Sequence, residues 1–207
     1  MPKPTSSREE TTQAPTVPGI GEPADLTQRG ALALCLFNSL NWRLSEEPED
    51  ILDVERLLVV AQINGGLTLA PGRRRASRQR LADELRALRT LLLTYVDARI
   101  DGEPLPPTLL PVLEAHWARA SQLLQVDWAT GEVRPRATRE EDLPDLLFLS
   151  AMELTAGHLP GRLKVCEDAR GCGFLFIDAT RNASRRFCND VCATYDRQAR
   201  FRRNYRG

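Results

Sequence analysis

Histidine is scarce in this chain, at two residues in 207, and no uninterrupted apolar run approaches the roughly 20 residues that a membrane span needs. A membrane protein is therefore excluded as an expectation. Lys3 and Arg8 near the N-terminus are not followed by the roughly 7–15-residue apolar stretch of a secretory signal. Export finds no support, and a cytoplasmic address is the default. The sequence also lacks a phosphate-cradling glycine loop, a paired-histidine metal motif and a nucleophile elbow. An enzyme is not expected. His116 and His158 each stand alone and read as satisfied surface or core histidines, and Glu114 and Glu153 read as solvated helix faces.

Cysteine is nearly absent too, until the last forty or so residues. Cys35 is isolated in an apolar stretch and reads as a small core residue. The other four, Cys166, Cys172, Cys188 and Cys192, crowd into 27 positions. Net charge is zero overall, yet it is unevenly placed: from Arg181 to Arg206 there are eight arginines against Asp190 and Asp196. With 42% apolar and 27% charged residues, the length suits one substantial core plus a small appendage.

Residues 1–24 are a Pro/Thr/Ser/Glu stretch with little to bury, and they read as a disordered tail. From about Asp25, LTQRGALALCLFNSLNWR is dense enough in Leu, Ala and Phe to form a buried helix, followed by the acidic loop SEEPED. Ile51, Val54, Leu58 and Ala61 predict an amphipathic helix from Ile51 to Asn64, with Gly65-Gly66 as its stop. The longest periodic stretch places Leu81, Leu85, Leu88, Leu92 and Tyr95 on one face of a helix over about 73–99, with Arg78, Arg80, Arg86 and Arg89 interspersed. Thr108 opens a helix to about Leu124 that buries Leu109, Val112, Leu113 and Trp117. QVDWATGEVRPR reads as a hairpin turning through Ala129-Thr130-Gly131-Glu132. A last helix of this part runs from an Asp142 N-cap past Pro144 in the first turn to Ala156, with Gly157 ending it. The expected fold is mainly α: a helical domain over 25–160 carrying a short β-hairpin, then a second unit over 161–207.

In that second unit the spacing is Cys166-x5-Cys172-x15-Cys188-x3-Cys192. Two close pairs converging on one point supply the four thiolates that zinc accepts in a closed, tetrahedral structural site. The full ligand set leaves no open position for a catalytic water. Gly171 and Gly173 flank Cys172 in a knuckle whose backbone amides can turn toward the sulfurs. Phe174–Ile177 reads as a strand, 178–184 as a turn and Arg185-Arg186-Phe187 as a returning strand. Cys188 and Cys192 are one helical turn apart at the start of a final helix. Knuckle, hairpin and ligand-bearing helix describe a treble-clef-like finger around one structural zinc ion. The alternative is four buried or reactive thiols without metal; against it stand the spacing and the need of so small a segment for a staple.

On a helical wheel Cys192, Tyr195 and Ala199 face the metal, whereas Arg197, Arg200 and Asn204 lie opposite. Together with Arg181, Arg185, Arg186, Arg202, Arg203 and Arg206, this predicts an arginine-rich surface suited to phosphate contacts, with few acids to match it. The bland reading is that arginines late in a helix complement its dipole and keep a small domain soluble.

The stretch from Cys166 to Cys192, with its CGFLFIDATRN and SRRFC segments, resembles the CGNR zinc-finger proteins. LALCLFNSLNWR is similar to that family's opening motif. The resemblance implies an N-terminal helical domain of the ABATE type and a bacterial stress-induced transcription regulator. Two positions depart from the family: Ala193-Thr194-Tyr195 stands where Gly-Asn-Arg follows the fourth ligand, and Cys35 replaces an acidic residue. The function expected is a DNA-binding transcription regulator in which Arg181, Arg185, Arg186, Arg197, Arg200, Arg202 and Arg203 meet nucleic acid. The helical domain would sense a small-molecule or protein effector, and a homodimer is the corollary. RNA binding is a variant in which Phe201 and Tyr205 stack on bases. The alternative is a zinc-stabilised protein-interaction module with no nucleic-acid role.

Overall fold

The computed structural model describes residues 30–64, 66–69, 77–158 and 161–205, with side chains to 203. The expected tail over 1–24, the beginning of the first helix, Gly65, the 73–76 end of the long helix, Arg206 and the side chains of Asn204 and Tyr205 lie outside these residues. Six helices and three two-stranded antiparallel sheets are found among them: α1 (Ala31–Phe37), β1 (Leu40–Asn41), β2 (Glu49–Asp50), α2 (Val54–Ile63), α3 (Arg78–Asp101), α4 (Leu109–Ala120), β3 (Leu124–Val126), β4 (Val133–Pro135), α5 (Leu143–His158), β5 (Leu163–Val165), β6 (Leu175–Ile177) and α6 (Asp190–Tyr205). No helix among the described residues is long and apolar enough to cross a membrane.

Helix α5 is the centre of the core, because ten of its sixteen residues are buried and it packs on α1, α3 and α4. All seven residues of α1 are buried against it. Each Leu or Phe so placed contributes about 1.5–3 kcal/mol of hydrophobic stabilisation. Gly30 makes the α1–α5 contact close: a Cβ there would lie 2.8 Å from Leu154 Cδ1. From α3, Leu81, Leu85, Leu88, Leu92 and Val96 enter the same core, the face its periodicity predicts, joined by Leu57, Leu58 and Ala61 of α2.

Several boundaries differ from the expectation, each for a local reason. The first helix does not continue to Arg43 but stops at Phe37, since Asn38 and Ser39 commit their side chains elsewhere. Ser39 Oγ donates to Leu36 O at 2.6 Å. The chain then pairs as β1 with part of the acidic loop, Leu40 opposite Asp50 and Asn41 opposite Glu49. Ile51 precedes α2 and is partly exposed, because Asp53 is the N-cap and accepts from Arg56 N at 3.1 Å. In α4 only Leu109, Leu113 and Ala120 are buried, whereas Val112 and Trp117 face outward: the helix lies at the edge of the molecule and offers α5 a narrow stripe. Asp142 immediately precedes α5, which begins at Leu143. It sits in a 3-10 turn over 140–142 and accepts from Arg139 N at 3.3 Å, and α5 passes through Gly157 to His158. The β3–β4 hairpin forms as expected, with Gly131 at φ +75° in its turn.

The strand over 175–177 forms, but its partner is β5, ahead of the knuckle, rather than Arg185-Arg186-Phe187; Leu163 pairs with Ile177 and Val165 with Leu175. The reason is apolar pattern: Leu163 and Leu175 join the main core. Residues 185–187 instead lie along the knuckle, where Arg186 O accepts from Glu167 N at 3.0 Å. The knuckle is thus the tip of a hairpin rooted in the helical domain, and α6 follows it.

Candidate metal centre

Cys166 ends the hairpin's first arm and Cys172 precedes its second. Cys188 lies just before α6, and Cys192 is in the first turn of that helix. Asn189 caps α6 by accepting from Cys192 N at 3.0 Å. All four sulfurs are buried and lie within 4.8 Å of one another. Cys172 and Cys188 Sγ are 3.7 Å apart, and Cys188 and Cys192 Sγ 3.8 Å. Four sulfurs at the usual zinc–sulfur length of about 2.3 Å, set tetrahedrally, would be separated by about 3.8 Å. The donor set fits zinc in number, softness and span.

Electrostatics point the same way. Hydrogen bonds from the Cys172 and Cys188 thiols hold the Cys166 sulfur well below the ordinary thiol range. Contact with Cys166 and Cys172, together with burial, pushes the Cys188 thiol far up; burial and the neighbouring Asp168 carboxylate do the same to Cys192. One thiolate is easily formed, and each further one is opposed by the first. A dication at the centre removes that opposition, because coordination deprotonates thiols outright. A backbone amide also faces the site: Cys188 N–H donates to the Cys166 sulfur at 3.4 Å, which favours the thiolate there.

Around the sulfurs lies a shell that the cysteine spacing does not reveal. Asp168 is buried; its carboxylate accepts from Arg170 N at 2.9 Å and is held by the Arg170 guanidinium. That guanidinium sits between two rings, 5.1 Å from the Trp42 centroid and 3.9 Å from that of Tyr195. Trp42 and Phe187 pack against the cysteine cluster. Asp178, 0% exposed, receives Lys164 Nζ at 2.8 Å, Thr180 N at 2.9 Å and Arg185 N at 2.7 Å. Burial alone would raise its pKa, but these donors outweigh it and hold the carboxyl below the usual range.

The finger is seated on the helical domain by the segment 38–45. Asn38 Nδ2 donates to Leu175 O at 3.0 Å and Asn38 Oδ1 accepts from Leu175 N at 2.9 Å. Arg43 donates through Nε to Gly173 O and forms a two-pronged pair with Asp97 of α3 at 2.8 and 2.9 Å. Leu44 N donates to Gly171 O at 3.0 Å. Gly171 has φ +88°, and a Cβ there would come within 2.6 Å of Ser45 N. Gly171 is therefore needed for this close approach as well as for the knuckle. The NSLNWR part of the apolar opening motif is the seat of the finger rather than more of a helix. Its asparagine and arginine within an apolar run were the available signal.

The candidate nucleic-acid arginines divide into two groups. Arg181, Arg197 and Arg203 are exposed, and their side chains have no ion-pair or hydrogen-bond partner among the described residues; Arg202 is exposed and lies 5.9 Å from the Tyr195 ring centroid. Arg185, though exposed, is committed within the finger, donating to Phe187 O at 2.8 Å and to Cys188 O, with its guanidinium 5.4 Å from the Phe176 centroid. Arg186 pairs with Glu167 at 2.6 Å and Arg200 with Asp196 at 2.6 Å. The expected lack of matching acids is thus corrected by Glu167 and Asp196, which the wheel left out. Cys35 is a buried core residue whose thiol burial pushes up. His116 stacks on Phe148 at 5.5 Å, and His158 Nδ1 meets Leu154 O at 3.1 Å, ordinary structural contacts for both.

No curated protein matches the chain. The sulfur cluster, its knuckle and the helix that completes it lie within residues 162–204, the segment matched by the family model of the CGNR zinc finger.

Proposed function

We propose that this protein is a zinc-dependent, DNA-binding transcription regulator of the bacterial cytoplasm whose helical part is an ABATE-like sensor domain. The observation that carries the reading is the set Arg181, Arg197, Arg202 and Arg203, exposed on a unit anchored by four buried cysteines. Guanidinium groups not committed to protein carboxylates are suited to phosphate oxygens, and an α-helix fits the major groove. One finger makes a small footprint, so a homodimer reading two half-sites is the natural working form. The test is duplex binding across a salt titration by wild type and by Arg197→Ala/Arg203→Ala, with zinc measured in both. Salt-sensitive binding that weakens in the variant while zinc is retained supports the reading; equal binding by both removes this face from it.

A second reading has its own observation. Val191 and Phe201 on α6 are 68% and 60% exposed, and Arg186 and Arg200 are neutralised within the finger. A zinc-stabilised protein-interaction module would use such a mixed surface, and its affinity would change little with salt.

A further inference from the structure

A cavity of about 520 Å³ opens between α5, the first turn of α1, the end of α2 and the β3–β4 hairpin. Its size falls within the range of small-molecule sites, which are largely apolar with a few placed polar groups. Leu32, Ala61, Leu124, Val133, Leu146 and Leu149 give it apolar walls. Half of its polar lining side chains are already occupied. Asn64 Nδ2 donates to Val60 O at 2.9 Å, Arg134 pairs with Glu132 at 2.5 Å, and Glu153 is engaged. Three donors are left over, of which the Trp117 indole N–H is one. The Arg136 side chain has no ion-pair or hydrogen-bond partner among the described residues, and Ser150 Oγ accepts from Ala33 N at 3.1 Å, which leaves its O–H to donate.

We propose that this cavity binds a small organic carboxylate with an apolar body, its anionic head held by Arg136 and Ser150 and its body by the leucine-rich walls. Arg136 is exposed at the cavity, feels the Asp127 carboxylate only at a distance and makes no ion pair, so it can take an anionic head there, whereas a wholly polar anion would leave the walls wet. Leu32 lines the cavity near the start of α1, and the residue after α1 is Asn38, the clamp on β6. The ligand would thus sit about 10 Å, the length of a seven-residue helix, from the seat of the finger. The role of that ligand as an effector rests on the regulatory reading above; its binding does not.

The test uses the full-length, zinc-loaded protein and contains no DNA, so its failure is distinct from failure of DNA binding. Anilinonaphthalene sulfonate, an aromatic anion, is titrated by fluorescence and then displaced with decanoate and, separately, with decan-1-ol. The expected result is one saturable site per chain from which decanoate displaces the probe. Met152→Trp, which fills the cavity, removes that site with the circular dichroism unchanged. Arg136→Gln weakens decanoate about tenfold or more, the worth of one charge-assisted hydrogen bond, and leaves decan-1-ol unaffected. Absence of displacement by decanoate, or displacement indifferent to both substitutions, overturns the proposal.

Discussion

Asn38 and Leu175 stand 137 positions apart and exchange two hydrogen bonds, the asparagine amide taking both backbone groups of one residue in β6. Replacing Asn38 by Ala leaves a buried N–H and a buried C=O without partners, at about 1–3 kcal/mol each. We expect Asn38→Ala to lower unfolding free energy by roughly 3 kcal/mol in urea denaturation while the protein still binds one zinc. A loss under about 0.5 kcal/mol, the usual size of a surface effect, would mean the clamp carries no load.

Zinc removal reaches beyond the finger. Leu163 and Leu175 belong to the same core as α1 and α5. Cys188→Ser, or chelation of the wild type, should therefore lower the melting temperature of the whole chain in one shifted transition followed by far-UV circular dichroism. An unshifted main transition with only the finger melting early would show two independent units.

Asp178 sets an acid limit. Its folded pKa is depressed, so its contribution is full above the ordinary carboxyl value of about 3.9 and is lost as pH falls through the folded value. Asp178→Asn should be less stable than wild type at neutral pH, and the gap should close below about pH 4. The check is urea denaturation of both proteins at a series of pH values; a gap constant with pH would exclude this carboxylate as its origin.

Gly171 and Gly131 make a matched pair. Both have positive φ, +88° and +75°, so an Ala at either costs about 1–2 kcal/mol in backbone strain. Only at Gly171 does the added Cβ run into backbone, at Ser45 N and Leu44 C; at Gly131 nothing lies within 4 Å. Gly171→Ala should be clearly the more destabilising in thermal melts, and equal shifts would refute the close packing of 43–45 on the knuckle.

The four ligands and the long α3 face were legible because each follows a strong local rule, metal-pair spacing in one case and 3.6-residue periodicity in the other. The β5 strand was not legible: Leu-Lys-Val is three residues long, and only a partner after the knuckle distinguishes it from a linker. The end of α1 was hidden for the related reason that Asn38 leaves the helix to meet a residue far along the chain. The arginines were visible as a charge cluster, yet their division into committed and uncommitted groups depends on Glu167 and two carbonyl oxygens that lie outside α6, and on the Asp196–Arg200 pair one turn apart within it.

The clamp between the first described helix and the last hairpin also has a meaning in time. On the ribosome, Asn38 emerges 137 residues before its partner, and the last sulfur ligand follows Leu175 by a further seventeen positions. Before that point α1 already has α5 to bury its seven apolar residues, but its clamp partner in β6 and the metal-bound seat are still to be made. The helical core can thus be built before the finger is locked onto it, which waits for β6 and the fourth sulfur.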